Sequence, residues 1–151
     1  MASVVYGTVV VMATITAAYA TRESPWKIAL IVWSTVLVLW VAHVYAHGLS
    51  ESLSEGHRLN RRELRSLAGR ESGILLAALG PSLALILGAA GVLAEPTAVW
   101  LAIGTGLGIL AGEGIRYARL ERLGPAGTFA VTAANLALGV FVVVLKVIVA
   151  H

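Results

Sequence analysis

The chain contains no cysteine, which excludes disulfides, thiolate metal sites and a cysteine nucleophile. It contains no aspartate either: all eight acidic residues are glutamate, so chemistry that depends on Asp motifs, such as an Asp-rich magnesium–diphosphate site, is excluded. Charge is scarce altogether. Asp, Glu, Lys and Arg make up 13% of the 151 residues, whereas a soluble domain carries about 25%. Apolar residues take their place, at 58% of the chain with a mean hydropathy of +0.87. This is the composition of an integral membrane protein.

Five runs are free of Asp, Glu, Lys and Arg: residues 1–21, 28–50, 72–94, 96–112 and 123–145. A spanning helix needs about 20 mostly apolar residues, within a range of about 17 to 25. Lipid offers no partner to an open backbone polar group, so runs of this length must be helical. The expected fold is therefore all-α: one five-helix transmembrane domain over residues 1–151, with spans near 3–21, 27–49, 72–94, 97–118 and 125–148. The first run has no Lys or Arg before Arg22, so it reads as a retained helix and not as a signal peptide.

The arginines orient the bundle. With five spans, Arg58, Arg61, Arg62, Arg65, Arg70, Arg116, Arg119 and Arg122 lie on one side, and only Arg22, Lys27 and Lys146 on the other. The positive-inside bias makes the N-terminus cytoplasmic and the C-terminus external, as in a multi-pass protein of a bacterial-type plasma membrane. The connection 50–71 carries leucines at helical spacing (Leu53, Leu64 and Leu67, with Leu49 just before it) and arginines on its other faces. It reads as a short amphipathic cytoplasmic helix whose partners are the bilayer and its anionic headgroups. A nucleic-acid partner is excluded, because there is no folded basic domain and no aromatic residue in the stretch.

Small residues recur every fourth position in Gly104, Gly108 and Gly112, in Gly80, Ala84 and Gly88, and in the pairs Ala130/Ala134 and Ala133/Ala137. Such ridges let helices approach closely where no hydrophobic effect drives them together. They predict a tight bundle and a homo-oligomer, with a dimer favoured. Pro81 interrupts the third span and is expected to kink it. The glycines of "GTGLG" lack the preceding strand and soluble sheet that a nucleotide-binding loop requires.

Chemistry rests with the few polar residues inside the spans. His43, His47, Ser50, Ser54 and His57 fall on one stripe of the second helix. Paired His at i and i+4 can share a metal ion, and His43, His47 and Glu51 are the candidate ligands for a divalent cation. Histidine also suits proton transfer, since it titrates near neutrality. A third reading is that the pair is merely interfacial. Glu113 is a carboxylate inside a span, which marks function by default, with pairing to Arg116 or Tyr117 as the local alternative. Asn135 enters from the same side, as interhelical glue or path lining. Thr8 lies at a comparable depth on the first helix.

This layout, with five helices and the glutamate-bearing stretch "SESLSEGHRLNRRELRSLAGRE" after the second, resembles the vacuolar iron transporter family in topology. The resemblance implies a dimer and a metal-binding insertion at Glu51, Glu55, Glu63 and Glu71. No catalytic motif is present. The expected function is a small homo-oligomeric transporter or channel for a cation or protons, its path lined by His43, His47, Glu51, Glu113 and Asn135. The alternative is a non-catalytic membrane subunit or scaffold.

Overall fold

The computed structural model describes residues 2–56 and 60–149, and His57 of the polar stripe lies outside them. Among the described residues there are six helices and no strand: α1 (Ala2–Ala20), α2 (Pro25–Glu55), α3 (Arg61–Arg70), α4 (Gly73–Ala89), α5 (Glu95–Leu120) and α6 (Pro125–Val149). Four of them, α1, α2, α5 and α6, are long and apolar enough to cross a membrane, and α3 with α4 passes the same test as a pair bent by 42°. Apolar side chains such as Leu37, Val38, Leu83, Phe141 and Val144 point outward from the bundle. Lipid, not water, suits that surface.

Two helix ends differ from the expected spans, and glycine explains both. α2 runs past residue 49 to Glu55 and stops where Gly56 turns left-handed (φ 69°), its N–H bonding Ser52 O at 3.1 Å. α4 stops at Ala89, short of residue 94, because Gly91 is left-handed (φ 74°) and Val92 N–H folds back to Leu87 O at 3.0 Å. A left-handed residue at a helix end satisfies the last carbonyls and turns the chain away. Glycine takes that conformation at no steric cost.

Within the connection 50–71 lies α3. Asn60 opens it with a capping box: its Oδ1 accepts the N–H groups of Arg62 and Glu63, both at 2.9 Å, while Glu63 Oε2 accepts Asn60 N–H at 2.8 Å. Leu67 is buried and Leu64 remains half exposed. The indole of Trp40 donates to Ala68 O at 3.2 Å, which ties α3 to the side of α2.

α1 is the hub. It packs against α2, α4, α5 and α6, which follow one another around it in that order. The arc is open, since α2 and α6 are not packed against each other among the described residues. Met12, Ile15, Ile28, Ile74, Leu85 and Leu110 are fully buried and form its core. α1 and α4 approach closely. A methyl group on Gly7 would stand 2.8 Å from Ile74 Cα, and one on Gly73 would stand 2.7 Å from Ser3 Oγ. Gly88, in the α4 ridge, lies directly against Ala98 of α5, as the spacing predicts.

The α5 ridge behaves otherwise. Gly104, Gly108 and Gly112 are exposed, and among the described residues no other helix comes within 4 Å of a Cβ placed on them. The glycines that do bring α5 against its neighbours are Gly106, which meets Met12, and Gly114, which meets Thr132 and Asn135. Within one chain, therefore, the predicted packing ridge is not a packing surface.

Candidate functional site

The seam between α1, α5 and α6 is closed at its middle, and α5 also meets α6 where Gly114 approaches Thr132. Gly139, the single buried residue of α6 among those described, lets Leu107, Leu110 and Met12 close over it. A methyl group there would stand 2.6 Å from Leu110 Cδ1. Gly106 admits Met12 in the same layer, where an added methyl would stand 2.7 Å from Met12 Cγ. Above and below this layer the helices leave space. At the end of the bundle that holds the N-terminus lies a cavity of about 770 Å³, and at the opposite end, on the same three helices, one of about 650 Å³.

The cavity at the N-terminal end contains Glu113. Its side chain is 12% exposed, and Oε1 meets Arg116 Nη1 at 3.3 Å. The other oxygen, Oε2, is buried and accepts no hydrogen bond. A buried acceptor without a partner costs free energy, on the order of 1–3 kcal/mol and more for a charged group. Asn135 lines the same cavity and donates from Nδ2 to Leu110 O at 3.2 Å, so it bridges α6 to α5. Val5, Val9, Val131 and Leu138 supply aliphatic walls, and Tyr6 and Tyr117 supply two half-exposed rings. The opposite cavity is lined by Thr16, Tyr19, Glu95, Trp100 and Val143 among others, with Arg22 beside Glu95.

The histidines occupy a different pocket, of about 480 Å³, between α1, α2 and the α3/α4 bend. His43 Nδ1 is 3.1 Å from Leu39 O on its own helix. His47 Nδ1 stands 3.3 Å from Glu71 Oε1, which the bend brings up to it. Glu51 is not beside the histidines as a third ligand but accepts from Arg70 Nη2 at 2.7 Å. Among the described residues no three His or acidic side chains converge to hold a metal ion. The glutamates of the insertion diverge: Glu51 goes to Arg70, Glu63 caps α3 and Glu71 meets His47. The side chain of Glu55 lies outside the described residues.

The expected path residues thus form two groups. Glu113 and Asn135 share one cavity, whereas His43 and His47 line another. Thr8 is fully buried and spends its hydroxyl on Val4 O at 2.8 Å. Ser54 likewise bonds Ser50 O at 2.9 Å. Ala2 and Tyr6 line both cavities, and the Tyr6 ring lies 5.0 Å from that of His43. A tyrosine near a span end is ordinary, and no sequence signal distinguished it. No protein-family model, curated protein or solved structure matches the chain.

Proposed function

We propose that the chain is a five-span membrane protein, with α4 as the third span and α3 as the short cytoplasmic helix leading into it, which moves a cation or protons along the α1/α5/α6 seam. In this reading the N-terminus is cytoplasmic, the C-terminus external, and the working unit a homo-oligomer in a plasma membrane. The observation that carries it is the pair of cavities on one seam, about 770 and 650 Å³, separated by the single layer of Met12, Leu107, Leu110 and Gly139. Transport requires access to one site from each side in turn, and this seam has an approach from both ends and one barrier between them. Glu113 stands beside that barrier as the ionisable group, and intramembrane carboxylates characteristically mark ion pathways. His43 and His47 flank the path, joined to it at Tyr6, where a residue type that titrates near neutrality can relay protons.

The test is flux into proteoliposomes, of protons and of cations, for wild type, Glu113→Gln and His47→Ala. Loss of flux in Glu113→Gln with a smaller effect of His47→Ala supports the seam. Equal flux in all three overturns the assignment of both residues. A second reading, a scaffold subunit, has its own observation: Glu51, Glu63, Glu71 and Asn135 each have a partner within the chain. Absence of flux in wild type, for every cation tried, favours it.

A further inference from the structure

We infer that α3 is a headgroup-binding helix: the guanidinium groups of Arg61, Arg62 and Arg65 hold the phosphates of anionic phospholipids in the leaflet at the N-terminal end of the bundle. α3 can do this only in a chain that spans a bilayer, but transport by that chain is not required. Large apolar side chains point outward along α2 from Trp26, through Leu37, Tyr45 and Leu49, to Leu53. At about 1.5 Å per residue that stretch measures about 40 Å, close to the roughly 40–45 Å of a bilayer with its headgroups. The last turns of α2 therefore lie among headgroups and not in water. α3 is fastened to the side of this helix, where Trp40 donates to Ala68 O at 3.2 Å and Arg70 Nη2 donates to Glu51 Oε1 at 2.7 Å.

Arg61, Arg62 and Arg65 are exposed and fall within an arc of about 100° on α3, at about 100° per residue. Leu67, on the opposite side, is buried, and Leu64, half exposed, gives the helix an apolar edge toward lipid. Arg70 and Arg116, at the same end of the bundle, are paired with Glu51 and Glu113. The three arginines of the arc have no side-chain partner among the described residues. Helix formation does not account for them either. Arg61 and Arg62 open α3, where the positive end of the helix dipole disfavours a cation. The N–H groups of Arg62 and Glu63 are already taken by Asn60 Oδ1, so a phosphate here meets guanidinium and not backbone. Guanidinium matches phosphate oxygens in a bidentate fork, and several arginines beside a span are what an anionic leaflet attracts. A zwitterionic lipid brings its own ammonium to the same place and gains less.

The chain has no cysteine, so Ser66→Cys, at an exposed position of α3, takes a single fluorophore. The labelled full chain is reconstituted in phosphatidylcholine vesicles. These contain a small fraction of either phosphatidylglycerol or phosphatidylcholine with a nitroxide near the headgroup end of one acyl chain, and each nitroxide lipid quenches according to its presence beside α3. The expected result is an enrichment of phosphatidylglycerol over phosphatidylcholine of about fivefold or more, about five being the factor contributed by one arginine near an anionic surface. Salt at about 1 M, where the screening length is about 3 Å, lowers it. Arg61→Gln, Arg62→Gln and Arg65→Gln combined bring the two lipids level. Equal quenching by the two lipids before substitution, a preference insensitive to salt, or a preference unchanged in the triple variant overturns the inference. Quenching by neither lipid also overturns it, and leaves α3 in water or against an acidic protein. If circular dichroism shows the triple variant to be unfolded, Arg65→Gln alone decides: a severalfold loss of preference is expected, and an unchanged preference overturns the inference.

Discussion

α1 meets α4 and α6 in opposite ways. Against α4 the backbones nearly touch, with Gly7 on Ile74 and Gly73 on Ser3 and Val4. Against α6, Met12 reaches Gly139, and space remains on both sides of that contact. Both surfaces are apolar, so hydrophobicity does not distinguish them. Spacing of small residues does. In lipid, helices gain from packing only where side chains are small enough to let backbones close. α4 presents several such positions to its neighbours, and α6 presents one. The tight side acts as a frame, and the loose side holds the only buried carboxylate oxygen without a partner among the described residues.

The sharpest way to break this comparison is to remove equivalent bulk from each side. Ile74 is fully buried, and Ile74→Ala should cost about 2–5 kcal/mol. Val131→Ala, beside an existing cavity, should cost less than about 1 kcal/mol, since no new void is enclosed. Thermal unfolding in detergent reads both, and equal losses would show the seam to be as well packed as the frame. Adding bulk is the next test. Gly7→Ala should destabilise by about 1–3 kcal/mol, because the new methyl meets backbone and not a flexible side chain. Gly108→Ala, on the open face, should stabilise by about 0.5–1 kcal/mol through helix propensity. A loss there instead would place the Gly104, Gly108 and Gly112 ridge in a subunit interface.

Two smaller effects refine the picture. Glu113→Gln should reduce flux about tenfold, the equivalent of about 1.4 kcal/mol, with unfolding temperature unchanged or raised. A fall in both would make Glu113 a structural residue. The two loops that close α1 and α5 each use arginine in the left-handed region, Arg22 (φ 59°) and Arg122 (φ 53°). Arg122→Gly should stabilise by about 0.5–1 kcal/mol, relieving a conformation that costs side-chain-bearing residues about 1–2 kcal/mol. No gain in unfolding temperature would show that the loop compensates for the strain.

Hydropathy alone pointed to long apolar helices, and four helices long and apolar enough to cross a membrane are present among the described residues, because length and lack of charge are properties of a run and need no knowledge of neighbours. It overran α4, since Leu93 and Ala94 are apolar and only the left-handed Gly91 ends the helix. The signal for α3 was present in Asn60 and Glu63, a capping pair at three-residue spacing. For the ridge on α5, four-residue spacing showed that Gly104, Gly108 and Gly112 share a face but not which way that face points. Gly106 and Gly114 took the packing role, as the partner positions Met12 and Thr132 decided. Depth along the helix axis put Glu113, Asn135 and His43 at a similar level, and of these Glu113 and Asn135 line one cavity while His43 lines another. Depth is written in one dimension of sequence, and the order of helices around α1 is not.

The single buried glycine of α6 has a mechanical consequence. Gly139 sits near the middle of the helix, the contacts of Asn135 with Leu110 and of Thr132 with Gly114 lie within about two turns of it, and the outer turns of α6 are largely exposed. A rod pinned at its centre is a seesaw. Tilting α6 by about 10° about Gly139 would carry an end roughly 15 Å away through about 3 Å, at about 1.5 Å of rise per residue. The two ends move in opposite senses, so whatever widens the space around Glu113 narrows the one around Glu95, and the reverse.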